Sequence, residues 1–314
     1  MIYVIYQMNQ QKFITYNNKA SAITTKNDMT FTRPLLKYLL VITIVTIAMQ
    51  NRAHAGGFPL RPGRLLLQPS VSYFFADKEW DSTGVKRPFA SNGKFNSTLI
   101  SLYAEYGISR RFSVVALLPY TTNNFTQTGF SQSYSGFTDL ETGIKYYLAN
   151  INYIYYFSLQ GTAITPMYKN TVGQPQLGYG EEGAELKLSF AGSGTLFNRN
   201  YYFDVDNGIR QYFGDQGPIQ DRYNATFGLT LDRTLKNQVS VSFGGFYTAS
   251  DNKKFVEENP LATKNFQFQQ VSVSYGHSFT RTFTVFLTGA QFVAGRNTGV
   301  GTSGSLALLY RLGN

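Results

Sequence analysis

Charged side chains recur at alternate positions in three segments of this sequence, where their types and spacing could carry chemistry. The residues concerned are Asp139, Glu141, Lys145, Glu185, Lys187, Asp204, Asp206 and Arg210. Residues two apart lie on the same face of a β-strand, so these side chains would line one face of a sheet. They would form either a structural network of ion pairs or a polar path that contacts a solute.

Asp204 and Asp206 could also be a pair of metal ligands. Calcium needs six or more oxygen ligands, however, and no loop ligands are spaced around this pair. The chain has no Cys and 2 His, which excludes disulfides, cysteine-ligated zinc, iron–sulfur clusters and a cysteine nucleophile. We therefore expect no metal site and no cofactor.

The composition favours strands that have one face in lipid. Charged residues make up 15% of the 314 residues, against roughly 25% in soluble domains, and aromatic residues make up 16%. The mean hydropathy of −0.20 is too low for a bundle of membrane helices. Although the net charge is +10, no block of five basic residues follows residue 55, so we expect no binding to nucleic acid.

Apolar and polar residues alternate in many segments, as in Tyr223–Leu231. Such alternation predicts strands with two unlike faces. Twelve strands are predicted, at about residues 65–76, 94–106, 111–120, 136–148, 152–164, 181–191, 199–213, 222–232, 238–248, 266–276, 282–293 and 302–312. Most have the length of a tilted transmembrane strand, which needs about 9–11 residues.

The connections between these strands alternate between short and long. Long connections, at residues 77–93, 121–135, 165–180, 214–221 and 249–265, follow the odd-numbered strands. Short periplasmic turns and long external loops are typical of outer-membrane barrels, and lipid requires the sheet to close. The predicted fold class is an all-β, transmembrane, up-and-down antiparallel β-barrel of about twelve strands. A soluble β-sandwich is the alternative.

In such a barrel the eight charged residues are predicted to face the lumen. An Arg or Lys that faces lipid at the midplane costs about 2–4 kcal/mol, whereas Leu140, Ile144 and Val205, at intervening positions, suit lipid. Trp80 lies in the first long loop. It is the loop candidate, either as a packing residue at the rim or as a ligand contact at the mouth.

The N-terminal region has the features of a signal peptide. A basic stretch at residues 32–37 precedes an apolar run at 38–49 and the sequence Ala53-His54-Ala55, which is an A-x-A cleavage site. The run is shorter than the ~20 residues of a spanning helix. We predict an upstream extension without function at residues 1–28, a signal peptide at 29–55 that is cleaved after Ala55, and the barrel at 56–314.

Several short sequence units, two of them strand–turn–strand units, carry a resemblance to a known family. They are YGISRRFSV at residues 106–114, YGHSFTRTF at 275–283, GFTDLETGIKYYL at 136–148 and LLPY at 117–120. Together they resemble the outer-membrane proteins that are grouped with the phenol meta-cleavage pathway. The resemblance implies a barrel fold and, more weakly, a transporter of hydrophobic compounds.

We therefore expect a narrow, passive channel for small solutes, hydrophobic ones included, in the outer membrane. Its partners would be membrane lipid, the outer-membrane assembly machinery and an unknown small solute. The first alternative is a structural or surface-interaction protein with a sealed lumen. The second is a lipid-modifying enzyme, which is disfavoured because His277 and Ser278 are neighbours on a strand and would point to opposite faces.

Overall fold

The computed structural model describes residues 57–170, 176–214, 217–256 and 258–313. These residues form a closed, twelve-stranded antiparallel β-barrel, which confirms the predicted fold class. The predicted extension at 1–28, the signal peptide at 29–55 and the cleavage after Ala55 lie outside the described residues.

Sixteen strands are present in the described part of the chain, and most belong to the barrel. They are β1 (Leu65–Ala76), β2 (Lys78–Trp80), β3 (Lys86–Pro88), β4 (Lys94–Gly107), β5 (Phe112–Gln127), β6 (Phe130–Phe137), β7 (Asp139–Ile151), β8 (Tyr155–Pro166), β9 (Gly183–Leu196), β10 (Arg199–Tyr212), β11 (Ile219–Thr230), β12 (Asn237–Ala249), β13 (Gln267–Ser278), β14 (Phe283–Arg296), β15 (Thr298–Gly299) and β16 (Thr302–Leu312).

The sixteen strands fill only twelve positions around the barrel, for two reasons. β6 and β7 share one position, because β5 pairs with both of them along one edge. β2, β3 and β15 form a separate small sheet in the loops. Short 3-10 helices lie at Ala90–Asn92 and Pro260–Ala262. Among the residues described, no helix is long and apolar enough to cross a membrane.

The barrel closes where its first strand meets its last. β1 pairs with β16 on one edge and with β4 on the other. The ladder between β1 and β16 skips Gln68 and Pro69, since proline has no N–H to donate. β1 is nevertheless continuous from Leu65 to Ala76, because Pro69 stays in register with Leu102 of β4.

The even number of strands places both ends of the barrel sequence on one side. We call this side the turn end, because it carries the short turns at residues 108–111, 152–154, 197–198, 231–236 and 279–282. The opposite side is the loop end. It carries the connections at residues 77–93, 167–182, 213–218, 250–266 and 297–301.

The predicted long loop at residues 121–135 is wrong, because this segment is a β-hairpin. β5 continues to Gln127, β6 begins at Phe130, and the two strands pair up to the turn. Gly129 in that turn has a φ of +76°, a conformation that glycine adopts without steric cost. The segment lacks apolar alternation because hydroxyl and amide side chains occupy both faces, which suits a strand that continues past the lipid.

The outer surface consists of an apolar band between two sets of aromatic side chains. Exposed aromatic residues at the turn end include Tyr106, Phe112, Tyr153, Phe197, Tyr275 and Phe279, and those at the loop end include Tyr73, Tyr120, Phe130, Phe137, Phe213 and Tyr247. Exposed aliphatic residues between them include Ile100, Ile144, Leu186, Leu188, Val205, Val273 and Leu287. This is the outer surface expected of a barrel in lipid.

Leu188→Arg is expected to destabilise the barrel by about 2–4 kcal/mol, the cost of a cation near the bilayer midplane. Leu188 is 50% exposed on the outer face in the middle of β9. The matched control is Leu196→Arg, on the same face at the turn end, where the cost is about 0–1 kcal/mol. Urea unfolding in lipid vesicles measures both, and equal losses would contradict the assignment of the lipid-facing band.

Candidate functional site

An internal cavity of about 830 Å³ occupies the barrel lumen. One half of its wall carries many small hydroxyl side chains, beside larger ones such as Gln68, Phe74 and Gln270, and we call it the serine wall. Its members are Ser70 and Ser72 on β1, Ser97 and Ser101 on β4, Ser240 and Ser242 on β12, Ser274 on β13, and Ser303 and Ser305 on β16. The other half, formed by β7 to β11, carries longer charged side chains. We call it the charged wall.

Arg210 is the centre of the main ion-pair network on the charged wall. Its Nε donates to Glu185 Oε2 at 2.7 Å and its Nη2 donates to Glu141 Oε1 at 2.8 Å. Arg222 Nη1 donates to the same Glu185 oxygen at 2.6 Å. Glu141 lies on β7, with β8 and β9 between it and β10. The network therefore connects four strands from inside the barrel.

Lys145 belongs to a second network, which includes β4. Its Nζ lies 3.5 Å from Glu105 Oε2, and the Tyr103 hydroxyl donates to the same oxygen at 3.0 Å. The Tyr147 hydroxyl lies 3.2 Å from the other Glu105 oxygen. Glu105 is 0% exposed and Lys145 is 2% exposed. A buried ion pair of this kind needs such additional hydrogen bonds, because they offset the cost of desolvating its charges.

Residues 57–60 lie inside the lumen at the turn end. The Gly57 N–H donates to Asp204 Oδ2 at 2.8 Å, and the Tyr147 hydroxyl donates to the Phe58 carbonyl at 2.6 Å. The Leu60 N–H donates to the same tyrosine hydroxyl at 3.3 Å. This segment, which we call the inner strap, narrows the lumen beside the charged wall.

Asp206 and Lys187 lie near Asp204 on the charged wall. All three side chains are buried, and Ser189 donates a short hydrogen bond to Asp206. The eight predicted site residues all point into the lumen. They are Asp139, Glu141, Lys145, Glu185, Lys187, Asp204, Asp206 and Arg210. The Tyr212 hydroxyl donates to Asp139 Oδ2 at 3.3 Å.

Sequence reasoning missed Glu105 and Arg222, which complete the two networks. Glu105 lies between Ala104 and Tyr106 in a strand whose outer positions are apolar, so its inward direction was available from the alternation. Arg222 directly precedes Tyr223, where the apolar alternation starts. Arg222 is also the first residue of the strand predicted at 222–232, on the face opposite Tyr223, so its inward direction was available from the same alternation.

Two aromatic clusters fill much of the loop end. The first consists of Ala76, Phe89, Phe95 and Phe125, and the second consists of Trp80, Phe266, Phe268 and Phe292. The rings of Phe268 and Phe292 stack with centroids 4.1 Å apart. Trp80, the loop candidate, is 3% exposed. It therefore packs beneath the loop surface, and its indole is not open to solvent at the mouth.

Tyr179 connects two external loops across the loop end. Its hydroxyl donates to the Thr263 carbonyl at 3.1 Å and accepts from the Gln220 side chain at 3.2 Å. Burial raises the pKa of Tyr179 well above its ordinary value, so the hydroxyl remains a donor at any physiological pH. Asn259 also donates a short hydrogen bond to the Gln176 carbonyl. The loops at 167–182 and 250–266 are thereby held together.

His277 and Ser278 have separate partners at the turn end. Nδ1 of His277 lies 2.7 Å from Asn237 Oδ1, and the Ser278 hydroxyl lies 2.9 Å from that of Thr284. This geometry provides no nucleophile–base contact between the two. Within the described ranges, no group of three or more His, Cys, Asp or Glu side chains is arranged to hold a metal ion.

Comparison with known proteins gives a fold and no family. No family model matches the sequence, and no curated protein matches it. The structure is similar to the COG4313 outer membrane channel from Pseudomonas putida F1, with a TM-score of 0.64 and 11% identity over 84% of this chain and 100% of that chain. At this identity the likeness establishes the fold alone. The chain therefore has the fold of an outer-membrane β-barrel.

Two further solved barrels have lower TM-scores. The β-domain of the Bordetella autotransporter BrkA has a TM-score of 0.48 and 14% identity over 78% of this chain and 99% of that chain. The TodX deltaS2S3 mutant monoaromatic hydrocarbon channel has a TM-score of 0.39 and 10% identity over 80% of this chain and 91% of that chain. Both scores are too low for an inference about this chain. The grouping with the phenol meta-cleavage pathway stays a prediction.

Arg210→Met is expected to destabilise the barrel by about 3–5 kcal/mol, because it removes the guanidinium that binds Glu141 and one of the two that bind the buried Glu185. The control is Arg233→Met in an exposed turn, which should change stability by less than about 0.5 kcal/mol. Urea unfolding of both variants in lipid vesicles provides the comparison. If the two variants were equally stable, the Arg210 network would contribute nothing measurable.

Asp81 holds the loop that contains Trp80, the one tryptophan in the chain. Hydrogen bonds from the Thr83 side chain and the Val85 N–H lower the pKa of Asp81 to about 2. Because this pKa is depressed on folding, the contact is fully present above the unfolded value of about 3.9 and is lost as the pH falls towards 2.

Trp80 fluorescence should therefore be constant from pH 7 to about 4 and shift to the red below that. Asp81→Ala should show the red shift already at pH 7. Asp77→Asn, which changes an exposed carboxylate in the same loop, serves as the control and should behave as the unaltered protein does. A red shift of equal size in both variants at pH 7 would refute a specific role of Asp81.

Proposed function

We propose that this protein is a narrow, passive outer-membrane channel for small solutes, hydrophobic ones included, and that it performs no catalysis. The observation that carries the proposal is the cavity of about 830 Å³ beside the serine wall. Arginine, glutamate and tyrosine side chains fill the lumen on the charged wall. On the other wall many of the inward side chains are serines, which are too short to fill the lumen. The likeness to a solved outer membrane channel supports the same function.

The lining of the cavity favours solutes with an apolar body. Near the turn end it includes Leu66, Leu117 and Leu309, and near the loop end it includes Phe266 and Phe292. Hydroxyl groups between these apolar regions can exchange hydrogen bonds with water or a solute without the strong hold of a charge. The eight predicted charged residues then frame the passage and set its preference for ions.

The maturation and location of the protein are parts of this proposal. Cleavage after Ala55 yields a barrel of residues 56–314, which the outer-membrane assembly machinery inserts into lipid. The apolar outer band described above supports lipid contact. The residues at 1–28 have no role in this scheme.

A second candidate is a structural or surface-interaction protein with a sealed lumen. The aromatic clusters at the loop end and the inner strap at the turn end favour it, because they occupy both ends of the cavity. In this case the external loops at residues 77–93, 165–180 and 249–265, together with the hairpin at 121–135, would form the contact surface.

Single-channel conductance of residues 56–314 in a planar bilayer distinguishes the two candidates. Discrete, stable current steps are expected for the channel. Neutralising Asp204, Asp206 and Arg210 should then change the ion selectivity. Silence from a protein that has demonstrably inserted would overturn the channel and favour the sealed barrel.

The position of the passage can be tested with a bulky residue on the serine wall. Ser242→Phe should lower the conductance about twofold or more, because current depends on the open cross-section of the pore. Val241→Phe is the matched control, since this neighbour in β12 points to the opposite face of the strand and pairs with Phe227 and Val273. Equal conductance of the two variants would mean that ions do not pass along the serine wall.

A further inference from the structure

The Asp204 carboxylate has an acceptor atom that nothing in the described residues satisfies. The side chain is 8% exposed. Oδ2 accepts the Gly57 N–H at 2.8 Å, whereas Oδ1 is buried without a hydrogen-bond partner among the residues described. A buried carboxylate oxygen that lacks a donor is costly. This site therefore calls for one more donor, preferably a cation.

A second carboxylate lies on the same face of the strand. Asp206 follows Asp204 by two residues on β10, so both point into the lumen. The basic residues Lys145 and Lys187 lie on the same wall, and Lys145 Nζ is 3.5 Å from Glu105. Two lumenal aspartates in the middle of β10 thus favour a further positive charge near Gly57, which already contacts one of them.

Gly57 is held against the charged wall by its hydrogen bond to Asp204 and by close packing on Ala191. A Cβ built on this glycine would lie 2.8 Å from Ala191 Cβ and 3.1 Å from the Ala191 backbone N, closer than a side chain permits. The hydrogen bonds of Tyr147 to Phe58 and Leu60 hold the next part of the inner strap. Followed from Leu60 back to Gly57, the chain therefore runs towards Asp204.

We propose that Asp204, assisted by Asp206, is the binding site for the α-ammonium group of the mature protein, which cleavage after Ala55 creates on Gly56. Hydrolysis of the Ala55–Gly56 bond by the export peptidase adds the water oxygen to the Ala55 carboxyl and leaves an amine on Gly56. That amine binds a proton at neutral pH. This inference rests on the cleavage that forms part of the proposed function.

The covalent link to Gly57 keeps the Gly56 amine within reach of the Asp204 carboxylate. The Gly56 nitrogen is three covalent bonds from the Gly57 nitrogen, hence less than about 4 Å away, and Gly57 N is itself 2.8 Å from the carboxylate. An ammonium donates charge-assisted hydrogen bonds, which are about twice as strong as those of a neutral amide. In the uncleaved precursor the same atom is an uncharged amide nitrogen. Cleavage would thus tighten the inner strap and complete the turn end of the barrel.

Amine labelling of the mature protein from membranes tests this site. An acetylating N-hydroxysuccinimide ester is added to folded and to urea-unfolded protein at neutral pH, and the N-terminal tryptic peptide, residues 56–64, is quantified by mass spectrometry. We expect labelling of the folded protein to be about tenfold slower, because a nearby carboxylate favours the protonated amine by about one pKa unit and reagents enter the lumen poorly.

Two variants should free the N-terminal amine from the carboxylate and so make it accessible to the reagent. Asp204→Asn removes the carboxylate, and Gly57→Ala displaces the strap from Ala191 while Asp204 stays in place; either should bring the labelling rate close to the unfolded value. Asp251→Asn, in an exposed part of a loop, is the control and should leave the rate unchanged. A heat-dependent shift on a denaturing gel verifies that each variant has folded. Should Asp204→Asn fail to fold, Gly57→Ala alone decides.

The possible results test the ammonium site and the channel proposal independently of each other. Fast labelling of the folded protein, or unchanged rates in both folded variants, would overturn the ammonium site and leave the conductance result untouched. A mass that places the N-terminus elsewhere would refute both this site and the cleavage after Ala55. Protection that is lost in the variants, in a protein that conducts no current, would support the site and reject the channel.

Discussion

Hydrocarbon offers no hydrogen-bond partner, so every backbone N–H and C=O of a strand in lipid has to be paired within the protein. This chain satisfies the requirement by joining β1 to β16. Pro69 removes one donor from that seam, and the ladder skips the position without breaking β1. Closure makes one face of every strand the outside and the other the inside. The direction of each side chain is then fixed by its position in the strand, and so is the division of charge between lipid and lumen.

Because the inward face of each strand is fixed, the two halves of the lumen differ in the size and charge of the side chains that line them. On the charged wall, Arg210 reaches Glu141 across two intervening strands, and its buried charges need all of their partners because desolvation is costly. Large side chains therefore fill that half. On the serine wall small hydroxyl groups leave the cavity free. Under the proposed function, the same charges that stabilise one side of the barrel would also determine on which side a solute passes.

Period-two alternation was sufficient to predict the barrel and most strand positions, and the eight charged residues that it singled out lie on the charged wall. It was insufficient for the hairpin at 121–135, because a strand that continues into water carries no apolar face. It also could not predict partners. The contact of Arg210 with Glu141 depends on strand order and barrel diameter, and the contact of Gly57 with Asp204 joins residues 147 positions apart. Trp80 in turn is buried by residues from β13 and β14, which the local sequence of its own loop does not reveal.

The two ends of the cavity are narrowed by different forces, and this difference bears on the proposed channel. At the turn end the inner strap is held by directional hydrogen bonds to Tyr147 and Asp204, which an apolar solute cannot replace. At the loop end the hydrogen bonds of Tyr179 and Asn259 join the loops to one another, and the lumen beneath them is narrowed by packed rings such as Phe268 and Phe292, whose hydrophobic contacts are non-directional. An apolar solute can exchange those contacts for its own at little cost in free energy. Under the proposed function, the loop end is therefore the side at which a hydrophobic solute would enter, and the inner strap is the barrier that it meets last.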